Sequence, residues 1–116
     1  YRRTMSKKYL RKNEFRIDYN SKHFGKDEEP HPAYITARYG HKYKANSITH
    51  SRKTNDGFYT YDIEENPNIF SKDKRRTRIS PPFWQNENQF GKEKLNNFRF
   101  SKKAQKKIKK FNKRFK

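Results

Sequence analysis

Apolar and polar residues alternate most regularly between residues 31 and 39, which is the period-2 pattern of a strand with one buried face. The apolar face of this predicted strand comprises Ala33, Ile35, Ala37 and Tyr39. Gly40-His41 follows, and it predicts a tight turn because glycine readily adopts the positive φ that hairpins need. Lys42 to Thr49 then returns as the antiparallel partner, so residues 31–49 are expected to form a β-hairpin.

Weaker alternation predicts further short strands on both sides of this hairpin. One covers Phe15 to Tyr19, with every second residue on its apolar face, and another covers Phe58 to Ile63. A fourth strand is expected at residues 77–79. Pro81-Pro82 should end it, because proline has no N–H to donate to a neighbouring strand. Residues 85–94 are expected to form a polar loop.

The C-terminus is expected to be helical. Ser101 is a favourable N-cap, because its hydroxyl can accept a hydrogen bond from a free backbone N–H of the first turn. Apolar residues then recur at steps of four, three and four, forming one narrow stripe at Ala104, Ile108, Phe111 and Phe115. A second short helix is predicted at residues 6–13. These patterns divide the chain into a basic N-terminal extension (1–29), a small β domain (30–100) and a basic amphipathic helix (101–116).

The formal net charge of +19 is concentrated at the C-terminus. Residues 91–116 contain 12 basic residues and one acidic residue, a net +11, whereas residues 30–70 contain five basic and four acidic residues, a net +1. A chain that is 28% hydrophobic and 37% charged has the composition of a disordered protein. However, 16% of the residues are aromatic, and large rings bury about 150–250 Å² each. We therefore expect a small aromatic core and a basic C-terminal segment that binds a polyanion.

The chain has no cysteine, which excludes disulfides, a cysteine nucleophile and a thiolate zinc site. No metal or other cofactor is expected, and the reducing cytoplasm is the compartment that fits this composition. No run of 18 apolar residues exists, so no transmembrane segment is expected. Lys, Asn, Ile, Phe and Tyr are abundant, which is typical of A/T-rich coding sequences and favours a low-GC bacterial or mobile-element source.

Three short motifs resemble those of the PemK/MazF-like growth-inhibitor toxins. They are His31-Pro32-Ala33-Tyr34-Ile35, Gly40, and Ile48-Thr49-His50-Ser51. Those proteins carry Arg-Pro with an apolar strand, then a turn, then an Ile/Leu-Thr-Ser motif. The stretch Arg75 to Ser80 and Leu95 before the helix keep that order, so the similarity spans residues 31–111. The resemblance implies an SH3-like barrel, often a homodimer, that cleaves single-stranded RNA without a metal and has an antitoxin, protein or RNA, as its partner.

His31 and Thr49 occupy the positions that face the scissile phosphate in that family. Thr49 matches the family's threonine, whereas His31 stands where arginine is expected. Histidine can act as an acid or a base, since its unperturbed pKa is about 6.5, but it cannot form the permanent bidentate clamp that arginine forms on phosphate. The chain also resembles small uncharacterised mobile-element proteins that carry His-Pro, Ile-Thr-His-Ser, Asn-Pro-Asn and Phe-Gly-Lys, here at residues 31–32, 48–51, 66–68 and 90–92.

Metal-free RNA cleavage needs a base for the 2′-OH, an acid for the leaving oxygen and cations for the charge of the phosphorane. His31 and His50 are candidates for the acid–base pair, because equal distances from the hairpin turn place residue 31 roughly opposite residue 50. Arg52 and Arg78 are candidate cations for the transition state. The alternative interpretation is that His31 caps a strand and His50 bonds to a loop.

Clustered basic residues predict phosphate contacts, which release counterions and give salt-dependent, sequence-blind affinity. The candidates are Lys74, Arg75, Arg76, Arg78, Lys102, Lys103, Lys106, Lys107, Lys109, Lys110, Lys113 and Arg114. Trp84 is the best candidate to stack on an unpaired base. Other rings could stack too but are also needed for the core, namely Tyr34, Tyr43, Tyr59, Tyr61 and Phe83. A solvated basic face, or a helix that lies on an anionic membrane, remains an alternative for the C-terminus.

These patterns favour a nucleic-acid-binding protein that is mainly β: a small SH3-like antiparallel barrel with a basic C-terminal α-helix. RNA is favoured over DNA as its partner. One alternative is a metal-independent endoribonuclease that uses His31, Thr49 and His50. Another is a non-enzymatic accessory factor for DNA transfer or for the ribosome.

Overall fold

The structure is a computed structural model that describes residues 13–24, 29–70 and 77–115. The predicted helix at residues 6–13 lies outside these ranges except for its last residue. The three basic residues at 74–76 also lie outside them, so the structure says nothing about their part in binding.

The described residues are mainly β, as predicted, with six strands and a single α-helix near the C-terminus. The strands are β1 (Phe15–Asp18), β2 (His31–Tyr39), β3 (Lys42–Thr49), β4 (Tyr61–Asp62), β5 (Arg78–Ile79) and β6 (Phe83–Asn86), and the helix is α1 (Lys102–Asn112). Single 3-10 turns cover Ser21–His23, Glu87–Gln89 and Lys113–Phe115. The sheet order is β1-β2-β3-β5-β4, with β6 also paired to β3, and every pairing is antiparallel. Over the described ranges, the sheet is not closed into a barrel.

The β2–β3 hairpin forms as the sequence predicts, and Gly40 adopts a φ of +61° in its turn. A register shift between Ile35 and Ala37 interrupts the pairing. This shift corrects the predicted apolar face, because a bulge moves all later residues of its strand to the opposite face. Ile35 is fully buried, whereas Tyr39, predicted on the same face, is 82% exposed.

Strand β1 pairs with β2 along its whole length, and Phe15 is 1% exposed within the core. The sequence boundary near residue 30 therefore falls inside the sheet, and residues 13–24 are part of the folded body. The burial of β1 differs from the predicted alternation: Phe15 and Asp18 are buried, Ile17 is half-buried and Tyr19 is exposed.

Strand β5 ends before Pro81-Pro82, as predicted. A strand that the sequence did not predict, β6, begins directly after the two prolines, so the predicted loop at 85–94 begins with the last residues of β6. Strands β5 and β6 lie one after the other along the same edge of β3. Ser80 bridges the gap, because its Oγ accepts from the Ser47 N–H at 2.8 Å and its own N–H donates to the Ser47 carbonyl at 2.9 Å. The strand predicted at residues 58–63 is reduced to the two residues of β4.

Hydrophobic side chains are buried on both faces of the sheet. The larger cluster lies between the sheet and α1 and contains Phe15, Tyr34, Ile48, Ile63, Ile79, Phe100, Ala104, Ile108 and Phe111. The smaller cluster lies on the opposite face and contains Ala33, Ile35, Tyr43, Ala45 and Phe90. Aromatic rings do much of the packing in this leucine-poor, valine-free chain: the Phe15 ring lies 5.1 Å from both the Tyr34 and the Phe100 rings, between centroids.

Helix α1 begins at the predicted cap, where the Ser101 Oγ accepts from the Ala104 N–H at 3.1 Å. Its stripe is buried as predicted at Ala104, Ile108 and Phe111, but Phe115 lies beyond the helix and is 46% exposed. A polar contact that the sequence did not predict also docks α1: the buried amides of Asn46 and Asn112 bond reciprocally at 2.9 and 3.0 Å. The helix is therefore held by both an apolar stripe and a paired amide.

Burial raises the pKa of Tyr34 from 10.0 to about 12. Because the unfolded chain would ionise this phenol first, its contribution to stability is present below about pH 10 and is lost as the pH rises towards about 12. We expect the free energy of unfolding, measured in urea across this range, to fall more steeply in the wild type than in Tyr34→Phe. A Tyr39→Phe variant, changed at an exposed ring, should keep the wild-type dependence, and parallel curves for all three proteins would contradict the prediction.

Candidate catalytic cleft and nucleic-acid interface

An open cleft of about 850 Å³ lies where β2 begins and β3 ends. Four of the five predicted catalytic residues line it, namely His31, Thr49, His50 and Arg52. Ala33 pairs with Ser47, so the same register carried two residues further places His31 opposite Thr49 rather than opposite His50. The one-residue difference arises because the bulge in β2 adds a residue between the turn and this end of the hairpin.

His31 is 8% exposed and its ring is fixed from two sides. The Nδ1 atom contacts the carbonyl oxygen of Glu29, and the ring stacks on Phe24 with centroids 5.3 Å apart. Because a carbonyl oxygen only accepts, Nδ1 donates in this contact, which also caps the first residue of β2. Nε2 is therefore the ring nitrogen that would exchange a proton if His31 took part in acid–base chemistry.

The other cleft residues differ in exposure. Thr49 is 3% exposed, and its Oγ1 accepts from the Ser51 N–H at 3.1 Å. His50 and Arg52 lie on the exposed side of the cleft. Lys53 and Tyr59 line the same space, with the lysine Nζ 4.7 Å from the ring centroid. Sequence reasoning did not select Lys53, because a lone lysine in a polar loop carries no distinguishing pattern.

Arg78, predicted as a site cation and as a phosphate contact, does not line this cleft. Its Nε donates to the Thr60 Oγ1 at 2.8 Å and its Nη2 donates to the Thr60 carbonyl at 2.8 Å. A guanidinium nitrogen also lies 3.9 Å from an Asp62 carboxylate oxygen. The side chain therefore ties β5 to the segment around β4, and the structure does not bring it together with the four residues of the cleft.

A groove of about 630 Å³ lies between α1 and the β2–β3 face, and basic side chains line it. Five lysines line it, namely Lys44, Lys102, Lys106, Lys109 and Lys113, and none of its described lining residues is acidic. The four helical lysines recur at steps of four, three and four, which places them on one face of α1. The sequence does not identify Lys44 as part of this set, because nothing in it places the strand of Lys44 beside the helix.

The remaining predicted cations of the helix lie outside this groove, namely Lys103, Lys107, Lys110 and Arg114. They also recur at steps of four, three and four, so they form a second row on a different face. The Lys107 Nζ lies 3.4 Å from a Glu64 carboxylate oxygen, and the Arg114 guanidinium lies 6.0 Å from the Phe111 ring centroid. The basic residues predicted around the helix thus form two rows, a groove row and an outer row.

The candidate stacking rings are also divided by burial. Tyr34 and Tyr43 are 3% and 0% exposed and belong to the core. Trp84 is 50% exposed on β6 and pairs with Lys44 of the groove. Tyr59 is 71% exposed at the cleft. The ring of Tyr61 stacks on Phe111 with centroids 4.7 Å apart, so it supports the helix.

A buried polar network that the sequence did not reveal joins β1 to β6. The Asp18 carboxylate is fully buried and accepts from the His23 Nδ1 at 2.8 Å and the Gln85 Nε2 at 2.8 Å. The backbone N–H of Asn20 donates to the same carboxylate at 3.0 Å. The His23 ring stacks on Phe83 with centroids 3.5 Å apart. Because Asp18 and His23 are both buried, we assign this network to the fold rather than to the cleft.

Within the described ranges, no group of three or more His, Cys, Asp or Glu side chains is placed to hold a metal ion. No helix in the described part of the chain is long and apolar enough to cross a membrane. The chain was compared with family models, curated proteins and solved structures, and none of them matches it.

Proposed function

We propose that the protein binds nucleic acid, RNA in preference to DNA, through the groove between α1 and the sheet. The observation that carries the proposal is the convergence of five lysines on one groove whose described lining contains no carboxylate. From Lys102 to Lys113 the groove row extends over about 16 Å at the rise of an α-helix. A polyphosphate backbone laid along it would release counterions at several lysines at once, which makes binding strong at low salt.

An anionic membrane is a poorer partner for the same helix. A helix that lies on a bilayer must insert its apolar face, but Ala104, Ile108 and Phe111 of α1 are packed against the sheet. RNA is preferred because the groove wall also carries Thr36, Gln105 and other neutral polar groups, whose oxygens can accept from a ribose 2′-OH.

The two lysine rows of α1 provide a matched test of this groove. Lys106→Ala with Lys109→Ala removes two groove charges, and Lys103→Ala with Lys110→Ala removes two charges from the outer row. For the groove pair, we expect the slope of log affinity for single-stranded RNA against log salt to become less negative by about 1.4, since each lost contact contributes about 0.7. Fluorescence anisotropy of a labelled RNA at several salt concentrations measures both slopes.

The outer pair should keep a slope close to that of the wild type, because the two double variants have the same net charge and differ only in the row that is changed. Both should retain the helix, since alanine is the best helix former. Equal loss of slope in both double variants would mean that net charge, rather than the groove, governs binding.

The cleft supports a second candidate function, a metal-independent endoribonuclease. The specific observation is that His31, Thr49, His50 and Arg52 line one open space although they come from a strand, a strand end and a loop. In this proposal Nε2 of His31 takes the proton of the 2′-OH and His50 protonates the leaving oxygen. Arg52 and Lys53 would stabilise the charge of the phosphorane.

The finer fold assignment, an SH3-like barrel of the PemK/MazF kind, belongs to the same proposal. It is supported by backbone contacts between the outer edge of β1 and the chain after β6: a bridge pairs Asp18 with Phe90, and Gly91 N–H donates to the Ile17 carbonyl at 2.7 Å. These contacts bring the edge formed by β1 towards the chain that leaves β6. A cytoplasmic location, a mobile-element origin, a homodimer and an antitoxin partner complete the proposal.

A further inference from the structure

We infer that an open patch of the sheet beside the groove is a stacking platform for unpaired nucleobases. We call it the aromatic platform and define it by Tyr39, Lys42, Lys44 and Trp84. This inference rests on the proposed function, because the platform shares Lys44 with the basic groove and extends it. It adds that the bound strand is held by its bases as well as by its phosphates.

The bulge in β2 is what brings Tyr39 to this surface. Ile35 pairs with Ala45 on the face of the smaller cluster, but after the register shift Ala37 pairs with Lys44 and Tyr39 pairs with Lys42. Directly opposed residues of neighbouring strands share a face, so Tyr39 lies on the face of the two lysines rather than on the face of the smaller cluster. Without the bulge, regular alternation would place this ring on the face of Ile35.

Strand β6 places the second ring on the same surface. Phe83 packs against the smaller cluster and Gln85 belongs to the buried network. Trp84 lies between them in the strand, so its side chain points to the other face, where it is half-exposed. Trp84 pairs with Lys44, so the two side chains lie side by side on one face. Tyr39 and Trp84 therefore flank the two lysines of β3, with their strands about 10 Å apart.

Exposed rings set among lysines suit nucleotides better than they suit an apolar protein surface. Any base offers a flat face for stacking, and its phosphate can contact an adjacent ammonium group. The carboxylate that follows β6, Glu87, lies 2.9 Å from the Nδ1 of His41 and accepts from the Tyr43 hydroxyl at 3.4 Å. The platform and the groove together thus match a single strand whose bases are unpaired.

Trp84 is the one tryptophan of the chain, so its fluorescence reports on the platform alone. The probes are a 12-nucleotide oligouridylate and an abasic phosphodiester strand of the same length. We expect oligouridylate to quench the fluorescence of Trp84 in a saturable manner. The abasic strand should bind, as measured by anisotropy, without quenching Trp84.

Tyr39→Ala should weaken oligouridylate binding about tenfold and leave abasic binding unchanged. Phe58→Ala, at an exposed ring outside both the platform and the cleft, is the matched control and should bind like the wild type.

Two results would overturn the platform while leaving the groove in place: equal quenching by both strands, or unchanged oligouridylate affinity in Tyr39→Ala. Quenching of the same size by polyglutamate would also overturn it, since it would identify an acidic protein as the partner. If neither strand binds the wild type, the proposed function fails and the platform fails with it. Because Tyr39 is 82% exposed, its replacement leaves the core intact and each result can be interpreted.

Discussion

Asp18→Ala is expected to lower the free energy of unfolding by about 3–5 kcal/mol, because each buried donor that is left without its acceptor costs about 1–3 kcal/mol. Asp18 is fully buried and its carboxylate accepts from three donors, on His23, Gln85 and the backbone of Asn20. Alanine would leave these donors without the acceptor that they share, and burial would keep water from replacing it. The network also joins β1 to β6, so its loss would loosen both edges of the sheet.

Chemical denaturation followed by Trp84 fluorescence measures this loss, since Trp84 lies between two residues of the network region, Phe83 and Gln85. Asp18→Asn keeps the shape and one acceptor oxygen and should cost less than alanine, which keeps the test informative if Asp18→Ala does not fold. Glu93→Ala removes the same charge from an exposed position and should change stability by at most about 0.5 kcal/mol. A loss below about 1 kcal/mol in Asp18→Ala would show that the network contributes little.

The sequence could predict elements whose signals are local. The β2–β3 hairpin follows from period-2 alternation on either side of Gly40, and α1 follows from a cap at Ser101 and an apolar stripe. The cleft could be predicted in part, because the two ends of a hairpin must lie side by side. His31 and His50, chosen on that basis, do line one space. Thr49, which the resemblance selected, and Arg52, chosen for its charge, line it with them.

The features that the sequence could not predict depend on partners far along the chain. The bulge that turns Tyr39 outwards depends on how β2 pairs with β3, and no residue in β2 predicts it. Asp18 and Gln85 are 67 positions apart, so their hydrogen bond is visible only after folding. Arg78 was chosen for its charge, but its position beside Thr60 gives it backbone and hydroxyl acceptors that fix it within the fold.

The cleft and the basic groove have no lining residue in common, so binding and cleavage can be tested separately. The groove variants Lys106→Ala and Lys109→Ala should weaken RNA binding without altering the chemistry of the cleft. Changes at His31 or His50 should leave the salt dependence of binding intact. A protein that binds RNA but never cleaves it would therefore keep the first proposal and remove the second.

If the cleft is a ribonuclease site, His31→Gln and His50→Gln should each lower the cleavage rate of single-stranded RNA in EDTA by about 100-fold or more, the usual contribution of a general acid or base. His31→Arg separates two roles: it introduces the residue that PemK/MazF proteins carry before the proline, but a guanidinium cannot accept a proton at neutral pH. We expect it to be inactive if His31 is the base, and to be active if that position only clamps phosphate.

His41→Gln, outside the cleft, is the matched control and should retain activity. The wild-type rate should follow a bell-shaped pH profile, and each glutamine variant should lose one limb of it, which would assign the two protons. Unchanged cleavage in both glutamine variants would remove the histidine pair from the mechanism.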